Sequence, residues 1–382
     1  MPIHIGTGEE LSSTFFYQEK NKYFIFQEDT LISIIQEYGY FSQFLEFLET
    51  SAVESRRDNK ENMSLNNFIS KLVDPKPQGN SAFAKLLSSP KVSQNSVDNL
   101  KNALKNPDNA LYILEGSARG SGAIQKCIKG IHGPYIVGSE IKGAIRTALF
   151  SSRIKDTEIS NLQNKIKYEL FKGNSKKYFG DRETFGEKAL FGRVSEDIFR
   201  ELNFRDSDPL DISSLKIKCV SPLVDNKPRN DKKPPKVMQY NNIECIGKNN
   251  EFSTHLSFNH VNKSNFTVEE IKTACYEFTK KILENLKIKV KQKENEVNHY
   301  LQQITFLESQ NSLDTPVLSI GRFTGFFSKT IGIKLSDEII KDLGIKLYPN
   351  GKAKAGKDFP TSIWVTGEKE LMGFCQLTFI EK

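Results

Sequence analysis

Residues 135–149 read YIVGSEIKGAIRTAL and end the most structured passage of the sequence. Its first three residues are apolar or aromatic, which is typical of a short β-strand, and the residues after Gly138 repeat apolar side chains at helical spacing. We therefore predict a strand over residues 135–137 that runs into a helix beginning at Gly138 and Ser139. The buried side of that helix is predicted to consist of Ile141, Ile145, Ala148 and Leu149.

The start of this predicted helix is a candidate anion site. Ser139 can cap the helix, and the amides of a helix N-terminus favour a negative charge. Lys142 and Arg146 are four residues apart and therefore share one helix face. With Gly138 they predict a phosphate seat, although the order of a Walker A loop is absent and nucleotide hydrolysis gains no support. An amphipathic helix with ordinary surface bases fits the same residues.

Upstream of this stretch, strand and helix patterns alternate. Residues 23–26, 110–114 and 123–129 predict strands, and residues 30–48 predict one helix. Residues 51–110 are polar and interrupted by prolines, which indicates a loosely helical insertion.

Downstream, the alternation continues. Residues 151–210 are charged and predict helix, a basic, proline-rich loop follows at residues 227–236, and a capping box of Thr267 and Glu270 begins a long helix. Further strands are predicted within residues 211–224, 243–258, 362–365 and 373–379. Strands mixed with helices and long insertions indicate an α+β fold.

Two glycine-rich loops are candidate binding elements. Residues 321–330 read GRFTGFFSKT, so glycines permit close approach of a ligand, Arg322 and Lys329 supply charge, and Phe323 offers a ring on which a base can stack. A hairpin with core phenylalanines fits the same sequence. Residues 116–122 hold one arginine, Arg119, and also fit a plain surface turn.

Composition narrows the class of protein. The chain has 382 residues, 54 Lys and Arg against 47 Asp and Glu, and 37% hydrophobic residues. Residues 1–50 carry a net charge of −6 and the remainder +13, a division that suits a protein meeting a polyanion on one side; it also fits charges that merely solvate the surface. The sequence contains neither an apolar run long enough to span a bilayer nor a leader pattern, and we expect a soluble, cytoplasmic protein without membrane contact.

Cysteine and histidine patterns give little support to metal or cofactor chemistry. The five cysteines form no C-x-x-C pair, and the five histidines form no local metal signature, so we expect no metal and no cofactor. His4, beside Gly6, is a candidate general acid or base, and a structural histidine at a strand end is the alternative.

Together these motifs resemble the RAMP superfamily of CRISPR effector proteins, and within it the family of fifth subunits of type III-A (Csm) complexes. The resemblance rests on the segments PIHIGTG at residues 2–8, YIVGSEIKGAIRTAL at 135–149 and the loop at 321–330. Residues 197–200, 206–208, 359–361 and 373–374 also fit that family.

The resemblance implies a ferredoxin-like (RRM-like) core with helical insertions and room for a second, degenerate copy. It implies residues 1–225 as the core and 226–382 as a C-terminal α+β region. The expected function is non-catalytic: a capping subunit that holds the 3′ region of the CRISPR RNA (crRNA) and is needed for its 3′-end maturation by other nucleases in antiviral defence. The expected partners are crRNA, the repeating backbone RAMP subunit, a small helical Csm subunit and recruited host nucleases.

The implied RNA contacts fall on residues of the quoted motifs and the loop at 116–122. They are His4, Gly6, Arg119, Gly138, Ser139, Lys142, Arg146, Gly321, Arg322, Phe323, Thr324, Gly325 and Lys329. Two departures stand out, because the family usually has proline at Val137 and a second serine at Glu140. The family also usually has a strand upstream of the His4 motif, so the first core strand is expected to be short or missing.

Two other functions fit the sequence. A RAMP endoribonuclease would process crRNA with His4 as acid or base, or would cut target RNA; the latter activity in the backbone relative depends on an acid in an early loop, and residues 11–18 contain none. A pure protein scaffold would instead use the acidic N-terminal segment.

Overall fold

The computed structural model describes residues 1–58, 63–73, 93–120, 122–172, 197–223, 240–259, 266–293, 297–347 and 363–381. Strands and helices are interspersed along this part of the chain, and the predicted α+β class is confirmed. The basic loop at 227–236, most of the predicted helix after residue 172 and the segment 359–361 lie outside the described residues.

The strands are short. They are β1 (Gly6–Leu11), β2 (Phe16–Glu19), β3 (Lys22–Ile25), β4 (Tyr112–Gly116), β5 (Ile124–Cys127), β6 (Lys129–Gly130), β7 (Gly133–Pro134), β8 (Leu202–Phe204), β9 (Leu215–Pro222), β10 (Asn241–Ile246), β11 (Leu256–Phe258), β12 (Val317–Ser319), β13 (Trp364–Thr366) and β14 (Phe374–Gln376).

Eight of these strands form one mixed sheet in the order β1-β5-β10-β9-β4-β3-β2, with β13 also paired to β9. The β5–β10 and β4–β9 pairs are parallel, and the other pairs are antiparallel. Because β9 pairs with both β10 and β13, the sheet joins segments on either side of residue 225.

The helices are α1 (Glu28–Glu37), α2 (Phe41–Asp58), α3 (Leu65–Val73), α4 (Gln94–Leu104), α5 (Gly138–Arg153), α6 (Asp156–Lys172), α7 (Val268–Lys291), α8 (Val297–Gln310) and α9 (Asp337–Leu347). One of the two hydrogen bonds of the predicted capping box at α7 is confirmed: the Glu270 amide donates to Thr267 Oγ1 at 3.1 Å. The Glu270 carboxylate binds Arg153 on α5, at 2.7 and 2.8 Å.

Three predicted elements differ from the structure. Residues 202–204, near the end of the predicted helical stretch 151–210, form strand β8. The single helix over residues 30–48 is two helices, because Gly39 adopts φ +79° between α1 and α2 and turns the chain. Residues 135–137 form no strand. Instead the Ile136 amide and carbonyl bind Ser207, each at 2.9 Å, in an isolated extended segment.

The described apolar residues form two main clusters. The larger one packs α5 and α7 against one face of the sheet, and the predicted face of α5 is buried as expected. The second lies among α1–α4 and the β2–β3 hairpin, so the described part of the polar insertion packs with α1, α2 and the hairpin in a core separate from that of the sheet. The packed sheet and α5 thus support the motifs at residues 4, 138 and 321.

Candidate nucleic-acid interface

Three motifs separated by more than 130 residues in sequence meet in space. The Arg322 amide donates to the His4 carbonyl at 2.8 Å, and the Gly321 amide donates to Glu140 Oε2 at 3.3 Å. Gly321 has φ +80°, and a Cβ atom there would lie 2.6 Å from the His4 carbonyl oxygen. Only glycine therefore fits at this junction, and Glu140, the unexpected acid of the predicted seat, ties α5 to the loop.

The Gly138 amide at the N-terminus of α5 already has a hydrogen-bond partner within the protein. The cap residue is Val137, and the Gly138 amide donates to Asp206 Oδ1 at 2.8 Å, so the predicted capping role of Ser139 is wrong. Gly138 packs tightly, since a Cβ atom there would lie 2.3 Å from the Phe204 carbonyl oxygen, and Ser139 is exposed. The Asp206 carboxylate thus stands where an anion was expected.

The two cations of the predicted seat have internal partners. Arg146 Nη1 binds both carboxylate oxygens of Asp197, at 3.0 and 2.8 Å, and its guanidinium lies over the Phe199 ring. Lys142 Nζ donates to the Leu202 carbonyl at 2.8 Å, and burial lowers the pKa of its ammonium group. Both side chains anchor the segment around residues 197–202 to α5, and their contact with RNA stays a prediction.

His4 is fully buried. Its Nδ1 lies 2.6 Å from the Glu244 carbonyl oxygen, which can only accept, so the proton sits on Nδ1. Nε2 has no hydrogen-bond partner among the described residues, and burial lowers the pKa of the ring. A Cβ atom on Gly6 would lie 2.8 Å from Nε2, so Gly6 leaves room for the imidazole. The arrangement suits a neutral core histidine.

A buried carboxylate beside His4 was missed by sequence reasoning. Glu244 is fully buried and accepts from Tyr112 Oη at 2.8 Å, from the Cys127 amide at 2.9 Å and from Lys129 Nζ. Burial and this carboxylate raise the pKa of the Tyr112 hydroxyl. The signal was present, since one acid interrupts the apolar sequence Ile243-Glu244-Cys245-Ile246, and a lone acid in a buried strand needs donors.

The glycine-rich loop divides into buried and exposed parts. Phe323 is only 8% exposed, with φ +70°, and its ring packs 5.7 Å from the His4 ring and 5.0 Å from that of Trp364. In this position it does not offer a ring face to a base at the surface. Thr324 Oγ1 bonds back to the Gly321 carbonyl, and Gly325 has φ +91°. The side chains of Arg322 and Lys329 are exposed.

The other exposed arginine of the predicted set also contacts an aromatic ring. The Arg119 guanidinium lies over the Tyr240 ring at 5.2 Å, and both residues are exposed at the surface. Tyr240, Gln125 and Asn241 were not predicted, because nothing in a single sequence brings residues 119, 125 and 240 together. In the structure, the parallel pairing of β5 with β10 brings these residues together.

The described residues contain no group of three or more His, Cys, Asp or Glu side chains placed to hold a metal ion. Within the same residues, no helix is both long and apolar enough to cross a bilayer.

The chain is similar to known proteins in sequence and in fold. The RAMP superfamily model matches residues 131–328. A CRISPR system protein, Csm5 of Streptococcus thermophilus, is 28% identical over 216 residues, which span 56% of this chain and only 51% of that relative.

Two solved structures share the fold. One is a chain of a type III-A Csm–crRNA–target RNA ternary complex, with TM-score 0.61 and 18% identity over 98% of this chain and 96% of that one. The other is T. onnurineus Csm5, with TM-score 0.56 and 17% identity over 98% and 97% of the two chains.

Proposed function

The chain belongs to the RAMP superfamily, and from that premise we propose that it is a crRNA-binding subunit of a type III-A CRISPR (Csm) ribonucleoprotein. The observation that carries the proposal is the junction of the His4, α5 and Gly321 motifs, which presents Arg322 at the surface. Similarity to Csm5 and to a chain of a Csm complex with crRNA supports the same assignment.

More specifically, the proposed subunit is a cap that holds the crRNA 3′ region and contributes to its maturation. In this role the chain stacks on the repeating backbone subunit through a ferredoxin-like core, and the small helical subunit and host nucleases are further partners. The main phosphate contacts are the cations whose side chains face solvent, which are Arg119, Arg322 and Lys329. Lys142 and Arg146 act by holding the segment around residues 197–202 in place.

The proposed subunit is not itself a nuclease. Burial of His4 supports this, since a general acid or base must reach the proton that it transfers. Incubation of the purified protein with labelled repeat RNA and target RNA, with and without divalent metal, tests the endoribonuclease alternative. Cleavage that disappears in the His4→Ala variant would establish the alternative.

A salt titration tests the RNA-binding assignment. Affinity for crRNA is measured for the unaltered protein, for an Arg322→Ala/Lys329→Ala variant and for a Lys105→Ala control on the helical insertion. Loss of two phosphate contacts is expected to reduce the slope of log affinity against log salt by about 1.4, since each contact to a single strand contributes about 0.7. The control should match the unaltered protein. An equal slope for all three proteins would refute contact by the loop.

A further inference from the structure

We propose that Arg119 and Tyr240 form a stacking site for a base of single-stranded RNA, a site that rests on the proposed function and specifies it further. The Tyr240 side chain is 40% exposed although it is aromatic, and the guanidinium carbon of Arg119 lies 5.2 Å from its ring centroid. Aromatic rings and guanidinium planes are the surfaces on which unpaired bases stack in single-strand binding proteins.

Hydrogen bonds tie the loop that carries Arg119 to the sheet. The Asn242 side chain, which is only 3% exposed, accepts from the Arg119 amide at 2.8 Å and donates to the Arg119 carbonyl at 3.2 Å. On the other side of the loop, a Cβ atom on Gly120 would come within 3.2 Å of the Tyr240 hydroxyl. The two hydrogen bonds to Asn242 fix the backbone of Arg119 relative to β10, and a backbone that is already in place loses less entropy on binding.

A polar strip connects this site to the glycine-rich loop. Asn241 Oδ1 accepts from Gln125 Nε2 at 3.2 Å, and Gln125 Oε1 accepts from Arg322 Nη1 at 3.0 Å. Arg322 in turn lies over the Phe323 ring at 5.1 Å. The strip therefore crosses from β10 to β5 with a ring-stacked arginine at each end, and a nucleotide chain lying along it would contact both.

The charge environment distinguishes these two arginines from Arg146 and Arg153. Arg146 and Arg153 are ion-paired to Asp197 and Glu270. In the described part of the chain, Arg119 and Arg322 have no carboxylate partner, so their positive charge stays uncompensated at the surface. A guanidinium group without a carboxylate partner beside an exposed ring, as Arg119 is beside Tyr240, suits a ligand with both phosphates and flat bases, and single-stranded RNA has both.

The test compares two exposed tyrosines. Affinity of the full chain for a labelled single-stranded RNA is measured by fluorescence anisotropy at several salt concentrations, with Tyr240→Leu, Tyr240→Phe and a Tyr168→Leu control on α6. Tyr240→Leu is expected to weaken binding roughly 5- to 160-fold without changing the salt slope, because stacking carries no charge. Tyr240→Phe and Tyr168→Leu should stay near the unaltered protein.

Arg119 gives an independent readout. Arg119→Lys should keep the salt slope and lose affinity, since it retains the charge without the planar group, whereas Arg119→Ala should also reduce the slope by about 0.7. Thermal unfolding confirms that each variant is folded.

The outcomes separate the stacking site from the proposed function. If the unaltered protein binds RNA and Tyr240→Leu behaves like Tyr168→Leu, the stacking site is refuted and the proposed function stands. If the unaltered protein binds no RNA, both are refuted. If Tyr240→Leu loses a protein partner but keeps full RNA affinity, the surface is a protein-docking site and the proposal is wrong.

Discussion

His4 makes stability depend on pH in a direction that its surroundings determine. The imidazole is buried, its Nε2 has no acceptor among the described residues, and burial lowers its pKa from the usual 6.5. Arg322 lies close enough to lower that pKa further. Protonation of the folded protein would place a charge and an unpaired N–H in the core, so the unfolded chain takes up the proton first.

We predict that the free energy of unfolding falls as pH drops below about 6.5, the pKa of His4 in the unfolded chain. The pKa is lower in the folded protein, so the unfolded chain binds the proton at a pH where the folded protein does not, and this favours unfolding. The decline due to His4 is at most about 1.4 kcal/mol per pH unit. His4→Asn keeps a donor for the Glu244 carbonyl and lacks the titration, so its profile should be flatter. Urea unfolding between about pH 5 and 8 measures both proteins, and parallel profiles would contradict the prediction.

For individual residues, the sequence identified which side chains are candidates for a function better than it identified what each side chain does. The family resemblance implied RNA contacts at His4, Gly321 and Arg322 without placing these residues together, and the structure joins them. The role of Arg146 could not be predicted, because Asp197, which neutralises it, lies 51 residues away in sequence. A motif shows which side chain is charged, whereas its partner depends on tertiary packing.

The helices show the same division between local and tertiary information. The start of α7 and the buried face of α5 follow from capping and spacing, both local properties, and both were predicted. The break between α1 and α2 depends on one left-handed residue, Gly39, within a pattern that otherwise continues as helix. The extended segment before α5 depends on Ser207, which sequence spacing cannot reveal.

A pair of glycines tests this account of the helices. An added Cβ atom at Gly39 or at Gly143 meets no atom within 4 Å, so both substitutions are free of steric clash. Gly39→Ala should lower stability by about 1 kcal/mol, because φ +79° is unfavourable for alanine. Gly143→Ala, within α5, should raise stability by about 0.8 kcal/mol, because alanine favours helix. Urea unfolding of both variants gives the signs, and a shared sign would contradict this explanation.

At the scale of the molecule, two hydrophobic cores share one hairpin. Along β3, Tyr23 and Ile25 point to the sheet core, and Phe24 points to the cluster among α1–α4. The low apolar fraction of the sequence, 37%, is thus compatible with two separate cores, although the sequence predicted only a loosely helical insertion for the second. Among the described residues, the main contacts of α1–α4 with the rest of the chain are with β2 and the residues just before it, which gives α1–α4 the means to open separately from the sheet.

We predict that a cavity in one core loosens that core alone. Leu100 on α4 and Leu215 on β9 are both fully buried, and truncation of a buried leucine to alanine costs about 2–5 kcal/mol. Hydrogen exchange followed by mass spectrometry should show faster exchange in α1–α4 for Leu100→Ala, with β5, β9 and β10 unchanged. Leu215→Ala, the matched control, should accelerate exchange in the sheet. If Leu100→Ala accelerates exchange equally in β9 and β10, the two cores unfold as one unit, and the insertion cannot move independently of the sheet that presents Arg119 and Arg322.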